Sequence, residues 1–341
     1  MDLGRVTSSP SILIVGAGAL GLCAGFELKR RGHAVTVVDP GGANASLVAA
    51  GMIAPAMETA IDGLSADQAA VLRAGRDLWA DFAAASGVAL ARRPAEWRGG
   101  EAEKIETRLR AVGFGATRDG DRVFTDEDGQ IEPEQAVAAL RAALGEALIE
   151  GRAVEIGRIG GGWRVRLEDQ ALEAERVVLA TGAAAALDGT PAATRRLVEG
   201  VEPIRGQIGV TRQALADHVL RGPGAYVAPM GAGAVIGATM EPGRRDVAPD
   251  ADTAARLSEA AWRVLGQAAR PLDIDWRAGV RGASPDGLPM AGAGPDEGLF
   301  LALAPRRNGW LLGPMVGAVV ADAIEGRAPR AEARALDPRR F

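Results

Sequence analysis

Three glycines, Gly16, Gly18 and Gly21, form a G-x-G-x-x-G turn within SILIVGAGALGLCAGFELKRRGHAVTVVD. Such a turn can cradle a dinucleotide. Gly16 permits the tight bend, Gly18 lets a pyrophosphate approach the backbone, and Gly21 lets the next helix pack close to the preceding strand. A helix opening at Ala19 and Leu20 directs free N–H groups and the positive end of its dipole at the phosphates. Asp39 follows at about the 20-residue distance where an acid can accept hydrogen bonds from ribose hydroxyls. Its charge disfavours a 2′-phosphate, which leaves FAD or NAD rather than NADP.

The other reactive side chains are informative by their poverty. His33 falls at a helix-to-strand corner and His218 in the polar stretch QALADHVL, which reads as a helix. Neither joins a cluster, so no metal site is expected. Lys29 and Lys104 lie in polar, helix-like surroundings and offer no Schiff-base candidate. The single cysteine, Cys23, falls on the apolar face of the first helix and reads as a small core residue. Any catalysis must therefore be carried by a bound cofactor.

The elements that must position these groups are legible in outline. Ile12 to Val15 is an apolar run of strand length, Ala19 to Arg31 has helical spacing with Leu20, Cys23, Ala24 and Leu28 on one face, and Ala34 to Val38 is a second strand ending on Asp39. The small-residue stretch from Ala45 to Pro55 could bring backbone N–H groups up to a flat ligand or pack as a helix start. Ser65 to Gly87 reads as one long amphipathic helix. Residues 88–130 look like an excursion from the first sheet, with EAEKIETRLRAVGF helical. Glu132 to Leu148 is a helix. Strands follow at 153–156, 163–167 and 176–180, the last running into Thr181-Gly182, a turn that can approach a phosphate. Residues 201–240 are β-rich and 251–269 helical. A closing helix is expected from Pro314 to Glu325, and a frayed tail after Gly326.

With 341 residues the chain fits two domains, and 48% hydrophobic residues suffice for a sizeable core. A net charge of −5 gives no support for nucleic-acid binding. No stretch is long enough to span a bilayer, and MDLGRVTSSP lacks a signal-peptide layout. The expectation is a soluble cytoplasmic protein with no membrane partner; association into a homo-oligomer is left open.

Five blocks together resemble the FAD-dependent D-amino-acid-oxidase superfamily, and within it the glycine oxidases of thiamine biosynthesis. They are GAGALGLCAGFELKRRGHAVTVVD, ASLVAAGMIAP, VVLATGA, EPIRGQ, and the set YVAP, GATME, AGVRGASPDGLPMAG and RRNGWLLGPMVGAVVADAIEG. The resemblance implies an α/β fold. A doubly wound, Rossmann-like FAD domain would be built from residues 1–87, 131–200 and 272–341. A mixed or antiparallel sheet substrate domain would comprise 88–130 and 201–271.

It also implies roles. Ala45, Ser46, Ala50, Gly51 and Met52 of the second block would lie along the pyrophosphate and flavin. Val154 would contact the adenine region, and Arg307, Asn308, Gly309, Trp310 and Leu311 would pass the flavin ring. Arg281 matches the arginine that grips a substrate carboxylate, and Tyr226 a tyrosine of the same pocket. Arg307 would touch substrate or brace the flavin. FAD would be non-covalent, because no cysteine lies outside the first helix. The chain departs from the family pattern at Gly282, often Pro; at Pro305 and Arg306, where a His commonly stands; and at Trp310, usually a smaller aliphatic. The implied reaction is oxidation of a small amino acid, glycine first and a small D-amino acid second, to an imine with hydrogen peroxide as by-product. Met240 and Met290 read as packing. The alternatives are a dehydrogenase that passes electrons to a quinone or another carrier, and a flavoprotein with little catalysis.

Overall fold

Ile12–Val15 is a strand whose four side chains are all buried, the pattern of a parallel strand covered on both faces. It pairs in parallel with Val35–Asp39 on one side and Arg176–Leu179 on the other. In the computed structural model, which describes residues 11–42 and 44–341, these strands are central to a six-stranded sheet. Its order is Met290–Ala293, Leu299–Leu303, Arg176–Leu179, Ile12–Val15, Val35–Asp39, Leu148–Glu150. Every neighbouring pair is parallel except the antiparallel edge strand Met290–Ala293. The stretch MDLGRVTSSP lies outside the described residues.

The helix Ala19–Arg30 is buried from Ala19 to Leu28, beyond its one apolar face, because the long apolar helix Gly309–Ile324 packs along it. Cys23 is free and fully buried between them. Pro133–Leu144 packs against the same helix. Ala153–Ile159, Gly162–Leu167 and Ala171–Ala174 form a separate antiparallel sheet.

The larger sheet is mixed. Glu202–Thr211 pairs along its length with Asp275–Ala283, and also with Gly233–Gly237 and Glu241–Pro242. The order continues through Ala225–Met230, Val219–Gly222, Ala95–Arg98, Arg122–Thr125 and Thr117–Asp119. The excursion at 88–130 thus contributes the far edge of this sheet, and its helix is Ala102–Ala111. Residues from 272 onward enter the first sheet only at Met290, since Asp275–Ala283 belongs to the larger one. The division of the chain at residue 272 therefore does not coincide with sheet membership.

Four local expectations change. Ser65 to Gly87 is two helices, Ala66–Asp77 and Trp79–Ser86, meeting at Leu78. The closing helix starts at Gly309, not Pro314. Proline lacks the N–H that would bond the carbonyl four residues back, here that of Trp310. The buried Trp79 indole supplies the donor instead, at 3.0 Å from Trp310 O and 3.2 Å from Leu311 O. The stretch QALADHVL is not a helix: Val219–Gly222 is a strand, and His218 is tied to Glu96 at 2.8 Å. The tail is not frayed. Ala331–Leu336 and Pro338–Arg340 are short 3-10 helices, Ala333 and Leu336 join the core, and Arg340 pairs with Asp286 at 2.8 Å.

Candidate active site: a groove and a cavity in series

A groove of about 920 Å³ runs over the carboxyl ends of the first sheet's strands. Gly16, Gly18, Asp39, Ala45, Ser46, Val154, Thr181 and Gly182 line it. The turn that forms its floor requires glycine. Gly16 has φ +109°, and a Cβ there would meet Ala180 O at 2.3 Å. At Gly21 a Cβ would meet Gly16 O at 1.9 Å, so the helix and the turn touch backbone to backbone. Asp39 Oδ2 accepts from Ala17 N at 2.7 Å and Oδ1 from Gly41 N at 2.9 Å, which fixes the turn while the carboxylate faces the groove. Ser46 Oγ accepts from Ala19 N at 2.8 Å, at a helix start without a side-chain cap of its own. First-turn N–H groups, close backbone and an acid suit a dinucleotide.

The groove opens into a passage of about 120 Å³, lined by Leu20, Gly309 and others, with Gly18, Ala45 and Ser46 common to both. Ala49, Arg281, Arg307 and Trp310 carry the passage into a cavity of about 330 Å³. Ala50, Gly51, Met52, Tyr226, Met240 and Asn308 line that cavity. The three residues expected to act on substrate, Tyr226, Arg281 and Arg307, thus meet in one place. Trp310 stands between the two spaces, its Nε1 donating to Ser46 O at 3.0 Å. Leu311 lies in the core and lines none of the three spaces.

Two glycines of the larger sheet make room for the cavity's side chains. A Cβ at Gly206 would overlap the Arg281 guanidinium, 2.0 Å from Nη1. Gly237 faces Tyr226 across the strand pair, and a Cβ there would lie 2.2 Å from the phenol oxygen. Arg281 donates to Thr239 O at 3.2 Å and touches Met240 Sδ at 3.4 Å; Met240 is a pocket residue, whereas Met290 is core. Among the described residues no carboxylate pairs with Arg281. Burial, and then the neighbouring Arg307 charge, lower its pKa, although a guanidinium stays protonated at any working pH. It is a desolvated cation awaiting an anion. Burial pushes the Tyr226 phenol up to about 12, so it is a hydrogen-bond donor at neutral pH.

Arg307 is different. It pairs with Glu58 and, at 2.9 Å, with Asp62. Glu58 also pairs with Arg221 at 2.7 Å. Burial opposes ionisation of Glu58, but Arg307 and Arg221 outweigh it and hold the carboxyl at about 2. Both acids sit on Pro55–Asp62, four residues apart on one face. Asp128 caps this helix, accepting from Ala56 N at 3.0 Å and Met57 N at 3.3 Å. Burial raises the Asp128 carboxyl to about 7. The sequence reading misses Glu58, Arg221 and Asp128; the i, i+4 acid pair directly after ASLVAAGMIAP was the signal available for the first.

The fold agrees with that of similar proteins. Curated proteins similar to the chain include the glycine oxidase of Geobacillus kaustophilus, 30% identical over 94% of each chain, and that of Pseudomonas putida, 27% identical over 94% of this chain and 96% of the other. Among solved structures, glycine oxidase from Geobacillus kaustophilus superposes with a TM-score of 0.82 at 25% identity, over 97% of this chain and 99% of that one. L-proline dehydrogenase from P.horikoshii shares the fold, with a TM-score of 0.79 at 18% identity over 98% of both. The model of the DAO family, FAD dependent oxidoreductase, matches residues 11–323, the span that carries both groove and cavity, and the chain belongs to that family.

Proposed function

We propose that the protein oxidises a small amino acid, glycine first and a small D-amino acid second, with FAD bound non-covalently along the groove. The observation that carries this reading is the uncompensated Arg281 guanidinium at the junction of passage and cavity. It offers a charge-assisted, bidentate contact to a carboxylate. Tyr226 can donate to the same group. With the carboxylate fixed, the substrate Cα is held toward the passage. FAD, held along the groove by the Gly16–Gly18 turn, Asp39 and Ser46, would supply the two-electron oxidant for the substrate Cα–H bond, with oxygen as the terminal acceptor. Arg221, Arg281 and Arg307 against one lining acid, Glu58, leave the cavity cationic. That field disfavours an ammonium and favours the neutral amine that reacts, so no side-chain base is required. Rate then comes from positioning and exclusion of water. The net reaction consumes amino acid, oxygen and water and yields 2-oxo acid, ammonia and hydrogen peroxide.

In this reading Arg307 braces the site from Glu58 and Asp62, and the segments around the groove act as the cofactor domain. No helix of the described residues is long and apolar enough to cross a membrane. In this reading the enzyme is cytoplasmic and, with glycine, hands on its dehydroglycine imine for thiazole formation before hydrolysis. Anaerobic flavin bleaching by glycine, sarcosine, D-amino acids and 2-hydroxy acids tests the substrate. Glycine or a small D-amino acid should reduce the flavin fastest; preference for a 2-hydroxy acid or a bulky D-amino acid overturns it. Oxygen uptake with and without an artificial acceptor separates the oxidase from a dehydrogenase.

A further inference from the structure

The cavity that holds Arg281 has a second cationic pole. Arg221, on the strand Val219–Gly222, is buried and lines the cavity beside Arg307. Both guanidiniums converge on one carboxylate. Glu58 Oε1 meets Arg221 Nη1 at 2.7 Å, and Glu58 Oε2 meets Arg307 Nε. Glu58 is buried and is the one acid among the described residues lining this cavity. Arg221 Nε is buried without a hydrogen-bond partner, so the pole keeps a donor to spare.

We propose that Glu58 is a built-in counter-anion that fills a second anion position formed by Arg221 and Arg307, and thereby restricts the cavity to substrates with a single carboxylate. The inference rests on the reading that Arg281 takes that carboxylate. A second carboxylate entering the cavity either sits beside Glu58, where like charges repel in a desolvated space, or displaces Glu58 from two ion pairs and leaves it buried and unpaired. Glu58 cannot escape by taking a proton near neutral pH, since its two arginines hold it ionised. Glu58 is in this sense a specificity-determining residue, and Arg221 is its anchor.

The test compares acetate with malonate binding to the FAD-loaded protein, read from perturbation of the flavin spectrum. Wild type should bind malonate at least about tenfold more weakly than acetate. Glu58→Gln should raise malonate binding relative to acetate by about tenfold or more, with the same shift in flavin reduction by D-aspartate relative to D-alanine. Glu58→Asp should keep the wild-type preference, and Glu58→Gln combined with Arg221→Gln should abolish the gain. Wild type that binds malonate as tightly as acetate overturns the proposal without any variant, and an unchanged ratio in Glu58→Gln overturns it too. Wild type that binds neither anion overturns the Arg281 reading, and the proposal with it; acetate binding with the wrong ratio overturns the proposal alone.

Discussion

The groove and the cavity are joined through the passage that Trp310 lines, but they are built in opposite ways. The groove is a backbone structure: one unbroken segment, Ile12 to Asp39, supplies its floor, and its fit depends on atoms that are missing, the side chains of Gly16 and Gly21. The cavity is a side-chain structure. Glu58, Arg221, Tyr226, Arg281 and Arg307 reach it from a helix, three strands and a loop, and its character is a balance of charges. A backbone site fails when an atom is added. A charge-balanced site fails when a partner is removed.

That contrast can be broken from either side. Arg281→Leu should strike the cavity alone: FAD content unchanged, substrate reduction lost. Loss of a partner from a desolvated ion pair costs about 3–5 kcal/mol, or roughly a hundred- to several thousandfold in efficiency. Anaerobic stopped-flow reduction measures it, and kinetics within a few-fold of wild type would shift the carboxylate role to Arg307. Gly21→Ala should strike the groove alone. Its Cβ would enter the Gly16 carbonyl oxygen, and overpacking of about 1–3 kcal/mol corresponds to a ten- to hundredfold weaker FAD affinity. Flavin retained through dialysis as in wild type would contradict this.

A third measurement uses pH. The Asp128 carboxyl is raised in the folded protein from 3.8 to about 7. A raised carboxyl stabilises most below its unfolded value, and that contribution is lost as pH rises through 7, on the order of 2–4 kcal/mol in all. The Glu58 carboxyl, lowered from 4.5 to about 2, acts in the opposite sense and loses its contribution only as pH falls below 4.5 toward 2. Melting temperature should therefore decline between pH 4 and 7, and Asp128→Asn should flatten that slope; an identical slope would remove Asp128 from the account. The smallest effect belongs to Trp310→Leu, where passage and cavity meet. Loss of the bond to Ser46 O should weaken FAD binding only about two- to tenfold, given about 0.5–1.5 kcal/mol per neutral hydrogen bond. The preference ratio should move toward larger D-amino acids, and an unmoved ratio would show that the indole does not limit the substrate.

The groove was legible because its information is local. Strand, glycine turn, helix and acid follow one another within thirty residues, and each part constrains the next. The cavity's core was not legible because its pairings are long-range: Glu58 meets Arg307 across 249 positions, and nothing near either residue announces the other. Arg281 and Tyr226 were reachable only through the family blocks; the physical marks of their sites, Gly206 and Gly237, lie on partner strands. Pro314 misled in a physical way. Proline suits the first turn of a helix, which points to Pro314 as the start of the closing helix, whereas a donor from another helix lets it sit five residues inside. The tail misled by composition: arginines and prolines hide the two apolar residues, Ala333 and Leu336, that anchor it.

The Trp79 contact couples residues 79 and 314. A chain that keeps Pro314 and loses the indole holds a buried carbonyl without a donor. A chain that keeps the indole and regains an N–H at 314 still satisfies the carbonyl, whose oxygen can accept two hydrogen bonds. Loss of the indole is thus costly only beside a proline at 314, although 231 residues separate Trp79 from the carbonyl that it caps. Because that carbonyl belongs to Trp310, which lines both the passage and the cavity, a change at Trp79, in a helix outside the cavity, would act on the wall of the site.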